Sequence, residues 1–160
     1  MQKPQLAAAP NGRADNKRLV VAYFEALTNG NSEAALQLLA EELEWFVPGD
    51  NALAGTFTKT DLKGFVAQAA FDGQINFEIK NLTAEADRVA AEVIGRGRLV
   101  DGRNYENYYH FLFHVEDGRF VRVAEYLDSF YAVSMLTNAE RAREGRRYDW
   151  RLVLRKWWAV

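Results

Sequence analysis

Apolar positions recur at a helical period through the first part of the chain and alternate, in places, through the second. Leu19, Val20, Tyr23, Phe24 and Leu27 form one stripe, so a helix with a single buried face is expected from Asp15 or Asn16, either able to cap free N–H groups, to Gly30. After the turn TNGN, the stretch SEAALQLLAEE reads as a second, short helix, and LEWFV as a strand closed by the breaker pair Pro48-Gly49. Thr58-Lys59-Thr60-Asp61 has a capping pattern, and Leu62, Phe65, Val66 and Ala69 follow at helical spacing, which predicts a third helix.

From INFEIKNL onward the signal changes. RVAAEVIGRGRLV, NYENYYHFLFHV and RFVRVAEYLDSFY alternate, or carry β-branched and aromatic residues between turn signals, as strands do. Helices first and strands second mean an α+β fold. Long strands and the glycines at 95 and 97, where a strand can bulge or bend, suggest a strongly curved mixed or antiparallel sheet. Three helices packed in its concavity would make a cone-shaped α+β barrel around a pocket.

The last hairpin decides which residues share a face. A two-residue Asp117-Gly118 turn would set Val115 opposite Phe120 and mix apolar with polar positions. A three-residue loop, Glu116 to Gly118 with Gly118 left-handed, pairs Val115 with Arg119. Tyr109, Phe111, Phe113, Val115, Val121, Val123 and Leu127 then share one apolar face, with Glu125 the exception. Tyr108, His110, Leu112, His114, Arg122, Ala124, Tyr126 and Asp128 share the other. The second register is preferred because it segregates hydrophobicity.

Composition narrows the function classes. A chain of 160 residues with 49% hydrophobic and 26% charged residues is ordinary for one globular domain. Its formal net charge of −2 gives no global reason to expect nucleic acid. No apolar run approaches the roughly 20 residues that span a bilayer, and the first residues lack the apolar core of a secretory signal, so a cytoplasmic protein without integral membrane association is expected. The chain has no cysteine, which removes disulfides, thiol nucleophiles and thiolate metal sites. His110 and His114 would stand about 13 Å apart on a regular strand, too far to share a metal bound at ~2.1 Å. No metal site is expected.

The order of helix, LTNGN turn, helix, EWFVPGDNALAGTF, helix, then strands ending EDGRFVRVAEYLDS resembles the SnoaL-like branch of the nuclear transport factor 2-like superfamily. That branch includes ketosteroid isomerases, limonene epoxide hydrolases and polyketide cyclases. The resemblance spans about residues 15–135. It implies a cone domain over 15–135, an apolar pocket and a homodimer; by composition, residues 1–14, rich in Ala, Pro, Gly and Gln, read as a flexible lead-in and 136–160 as a basic and aromatic extension.

The family's chemistries can be tested on these residues. A ketosteroid isomerase would need a carboxylate where Phe46 or Val47 stands, although Tyr23 resembles its oxyanion tyrosine. An epoxide hydrolase would need an Asp within IGRGR, where a glycine stands. SnoaL-like aldol closure needs one Asp on the final strand and a His on the strand before it. Asp128 and His114 resemble that pair, and burial in an apolar pocket can raise a carboxylate toward neutral pKa. The resemblance thus implies Asp128, His114 and Tyr23 as catalytic groups. Phe46, Trp45, Tyr108, His110, Leu112, Tyr126 and Phe65 would bind a small apolar molecule, such as a polycyclic or carbonyl compound. Glu125 would face the other way, toward a subunit contact.

Each assignment has a structural competitor. Asp128 could cap the strand end or pair with Arg122, and Tyr23 and Phe46 could be core. Residues 141 to 156, RAREGRRYDWRLVLRK, carry seven basic and two acidic residues ahead of Trp157-Trp158. Basic and aromatic residues together suit a membrane surface or a nucleic acid, but the stronger reading is a segment packing its leucines and tryptophans on the chain or on a partner. Two functions stay open: a cofactor-independent isomerase, cyclase or hydratase, and a non-catalytic domain of the same fold that binds a ligand or dimerises.

Overall fold

The computed structural model describes residues 10–63 and 70–143. Helix α1 (Pro10–Thr28) leads into a short α2 (Ser32–Gln37), strand β1 (Leu39–Val47), a three-residue β2 (Gly55–Phe57) and helix α3 (Lys59–Lys63). Strands β3 (Asn76–Glu85), β4 (Arg88–Arg98), β5 (Asn104–Glu116) and β6 (Arg119–Leu127) follow, and α4 (Ser129–Arg143) closes the described chain. The six strands form one mixed sheet in the order β2-β1-β6-β5-β4-β3, with β1 parallel to β6 and every other pair antiparallel. The sheet curls around the N-terminal helices, as an α+β cone requires.

The local signals work as physical chemistry dictates. Gly30 ends the turn after α1 at φ +71°, and the Asn31 N–H reaches the Ala26 carbonyl at 2.8 Å, so a left-handed residue satisfies the helix end. Before α3, the Thr58 N–H and hydroxyl both donate to the Asp61 carboxylate, and the Asp61 N–H donates back to the Thr58 hydroxyl. This is the reciprocal cap the sequence suggests. Phe65, Val66 and Ala69 lie outside the described residues, as does the basic and aromatic stretch from 144 onward.

Several boundaries move. Helix α1 begins at Pro10 rather than at Asp15 or Asn16, and α4 runs from Ser129 to Arg143. The second helix stops at Gln37 rather than running through Glu42, because Leu39 already pairs with Phe120 of β6. Strand β6 ends at Leu127 instead of continuing to Tyr131; Asp128 begins α4, its carboxylate accepting the Tyr131 N–H at 3.0 Å and its carbonyl the Ala132 N–H.

The β5–β6 hairpin takes the two-residue turn. Asp117 and Gly118 both have positive φ, +47° and +72°, the signature of a tight type I′ turn. Glu116 pairs with Arg119 and Val115 with Phe120, then the register shifts so that His114 pairs with Arg122. Val121 is therefore the extra residue of a bulge, which restores the parity that the three-residue loop was invoked to supply. Phe120, fully buried, takes the core place expected for Val121.

The concave face holds the main core. Val20, Tyr23 and Phe24 of α1 pack on Val89, Ala91 and Val93 of β4, Phe111, Phe113 and Val115 of β5, and Val123 of β6. A second cluster, Ala70, Phe71, Leu99, Tyr105, Ala132 and Leu136, seats α4 against the end of β5. No bulge marks the glycines at 95 and 97 in the curled sheet. Strand β4 pairs with β5 through both without a register shift. A Cβ at Gly97 would stand 2.7 Å from the Phe71 ring and one at Gly95 3.0 Å from the Tyr109 ring. They make room for aromatic rings on the concave side.

Candidate functional site

A cavity of about 440 Å³ opens between the concave sheet face and the helices. Tyr23, Phe24 and Leu27 of α1 wall one side, Trp45 and Val47 of β1 another, and Phe77, Tyr109 and Phe111 the sheet side. Phe57 and Phe71 complete the aromatic lining, while Lys63 and Gln74 stand among its polar members. Ring contacts knit this wall together: Tyr109 stacks on Phe111 at 5.6 Å and 12°, and Trp45 meets both Tyr23 and Phe111 at 6.1 Å.

Into this lining projects Glu125. It lies opposite Phe111 in the β5–β6 ladder, between core Val123 and half-buried Leu127 on the same face. Its Oε2 accepts a hydrogen bond from the Trp45 indole Nε1 at 2.8 Å. Burial pushes the carboxyl pKa from 4.5 up to about 7, against the smaller opposing effect of the indole donor. The group can therefore hold or release a proton near neutrality.

Three tyrosines surround it chemically. The Tyr23 phenol is pushed well up, first by burial and then by the Glu125 charge. Tyr105 and Tyr109 share a 2.7 Å hydroxyl–hydroxyl hydrogen bond. Burial raises both of their pKa values, so both stay protonated at neutral pH. Among the described residues, no three His, Asp or Glu side chains converge as a metal ion would need.

Of the residues singled out from sequence, Tyr23 and Trp45 line the cavity together. Asp128 does not: it is exposed beyond the end of β6 and caps α4. His114 faces outward, opposite Arg122 and 3.9 Å from Asp87. Tyr108 and Tyr126 are 63% and 48% exposed on the outer face, with exposed His110 paired to Tyr126 and half-buried Leu112 paired to Ala124. Phe46 alternates with buried Trp45 and Val47 and so points away from the cavity. Phe65 lies outside the described residues.

The assignment of faces is thus reversed. Helix α1 covers the face that carries Glu125, so the carboxylate placed at a subunit contact is the one in the cavity. Its signal was present in the sequence as the one charge in an apolar alternation. Tyr109, Phe111 and Phe77 were missed as lining because they share that face.

Among the described residues, no helix is long and apolar enough to cross a membrane. No match is found among curated proteins. Solved structures show the fold at low identity. An NTF2-like protein of unknown function from Burkholderia pseudomallei is 19% identical with a TM-score of 0.68, over 77% of this chain and 98% of that one. TerC, co-crystallized with polyporic acid, is 18% identical with a TM-score of 0.67 over the same shares. Wild-type IdmH from Streptomyces antibioticus, a proposed polyketide cyclase, is 20% identical with a TM-score of 0.64, over 76% of this chain and 98% of its own. Residues 20–123 match the family model of the SnoaL-like domain, and this chain belongs to that family.

Proposed function

We propose that the cavity binds a flat, apolar carbonyl compound and that Glu125 moves a proton to and from the carbon next to the carbonyl, without a cofactor. The observation that carries this is the one carboxylate among the described lining residues, held by Trp45 at 2.8 Å and titrating near 7, within an aromatic cavity. At neutral pH both of its forms are populated. The carboxylate takes a C–H proton and leaves an enolate; the resulting carboxyl returns that proton to carbon or to oxygen. A base of this pKa is matched to such shuttling at physiological pH.

The aromatic walls supply stacking surface for a planar ligand, and low polarity strengthens each charge interaction within them. TerC with its bound polyporic acid and the proposed polyketide cyclase IdmH support this class of ligand. The role given to Asp128 by resemblance passes to Glu125, because a proton can be exchanged only with a group that reaches the ligand.

The test is exchange of the α-hydrogens of 2-tetralone in D2O, followed by proton NMR. Exchange faster than in buffer, rising with pH through about 7 and lost in Glu125→Gln, supports the proposal. Binding of the ketone with no acceleration would leave a ligand-binding domain instead.

A further inference from the structure

Tyr105, Asn107 and Tyr109 alternate along β5, so all three side chains enter the cone from one strand. Asn107 is only 1% exposed, and every polar atom of its amide is engaged. Its Nδ2 donates to the Tyr105 hydroxyl at 3.1 Å and to the Asp128 carbonyl at 3.1 Å, while the Tyr108 N–H donates 2.8 Å to its oxygen. The reversed amide would set oxygen against the Asp128 carbonyl and N–H against the Tyr108 N–H. The orientation is therefore fixed by its neighbours.

A direction follows for the protons. Tyr105 accepts from Asn107, and its own buried proton needs an acceptor; among the described residues, the one within reach is the Tyr109 oxygen at 2.7 Å. Tyr109 thus receives a hydrogen bond and keeps its own proton to give. Its ring lines the cavity, stacked on Phe111 and crossed by Phe77, with Gly95 leaving the space it occupies.

Resting on the cavity function proposed above, we infer that Asn107, Tyr105 and Tyr109 form a one-way hydrogen-bond chain that aims the Tyr109 hydroxyl at the oxygen of the bound ketone. Tyr109 is the catalytic donor that stabilises the enolate oxygen; Tyr105 and Asn107 are positioning residues. Tyr109 pairs with Leu127, and Glu125 with Phe111, so donor and base are diagonal neighbours on one face. Diagonal residues stand about 7–8 Å apart at the backbone, which leaves room for a carbonyl and its α-carbon between the two side chains. Each donor in the chain polarises the next and strengthens the last. Burial keeps both phenols protonated, as donation requires.

The experiment is the infrared carbonyl band of bound 9-fluorenone. This ketone has no hydrogen on the carbons next to its carbonyl, so the band reports the donor whether or not Glu125 moves protons. Tyrosine-to-phenylalanine changes remove one oxygen and keep the rings. The band should sit lowest in the wild type, move part of the way up in Tyr105→Phe, and reach its hydrocarbon-solvent position in Tyr109→Phe. The Tyr109→Phe protein should also lose about 10²–10³-fold in the 2-tetralone exchange rate, as removal of an oxyanion donor does. An identical band in wild type and Tyr109→Phe overturns the inference. So does a shift lost in Tyr23→Phe but kept in Tyr109→Phe.

Discussion

Replacing Glu125 by glutamine should change stability in a way that depends on pH. The unfolded chain releases this proton near pH 4.5, whereas the folded chain holds it to about 7. Between those values the folded state binds more protons than the unfolded state, so the residue makes stability fall as pH rises. Below 4.5 the effect vanishes, and above 7 it is complete. A rise from 4.5 to about 7 corresponds to about 3 kcal/mol, and solvent in the open cavity reduces this to ~2–3 kcal/mol. Glutamine is uncharged at every pH and keeps an oxygen for the Trp45 indole, so it removes the penalty and retains the hydrogen bond.

The variant should therefore match the wild type at about pH 4.5 and exceed it by ~2–3 kcal/mol at about pH 8.5. In a chain of this size that is a Tm higher by about 4–12 °C at the alkaline end. Thermal unfolding of both proteins across pH, followed by circular dichroism, measures the difference directly. Taking the difference cancels groups common to both. An offset that is the same at both ends of the range would refute a buried carboxyl titrating near neutrality.

Two further predictions concern its neighbours. In Trp45→Phe the indole donor that favours the carboxylate is gone, so the midpoint of the 2-tetralone exchange profile should move above about 7, read from rates in buffers of stepped pH. In Asp128→Ala the first turn of α4 loses the acceptor for the Tyr131 N–H; Tm should fall by the equivalent of about 1 kcal/mol while the exchange rate persists.

Much of the fold was legible because local chemistry and packing agree. The Leu19-to-Leu27 stripe, the Thr58 to Asp61 cap and the alternation along β5 are each read correctly from nearest neighbours. What was not legible depends on partners far away in sequence. Leu38-Leu39 has helical spacing with the residues before it, yet pairing with β6 converts Leu39 to strand. Gly55–Phe57 is too short to announce a strand without β1 beside it. The bulge at Val121 has no composition signal, since valine suits a regular ladder equally well.

The site shows the same division. Alternation separated the two faces of β5 and β6 above the bulge, and it marked Glu125 as the exception. It could not say which face α1 would cover. Family resemblance favoured Asp128, three residues further on, but the chain leaves the sheet at that point to start a helix. A carboxylate at the head of a helix is satisfied by backbone N–H groups, whereas one in an aromatic cavity must trade its proton with whatever enters.

The most direct measurement compares wild type, Glu125→Gln and Asp128→Asn in the 2-tetralone exchange assay. Asparagine keeps the cap of α4, so all three proteins retain the cone. The account predicts exchange by wild type and Asp128→Asn with none above buffer for Glu125→Gln. Exchange that survives in Glu125→Gln and disappears in Asp128→Asn would contradict it.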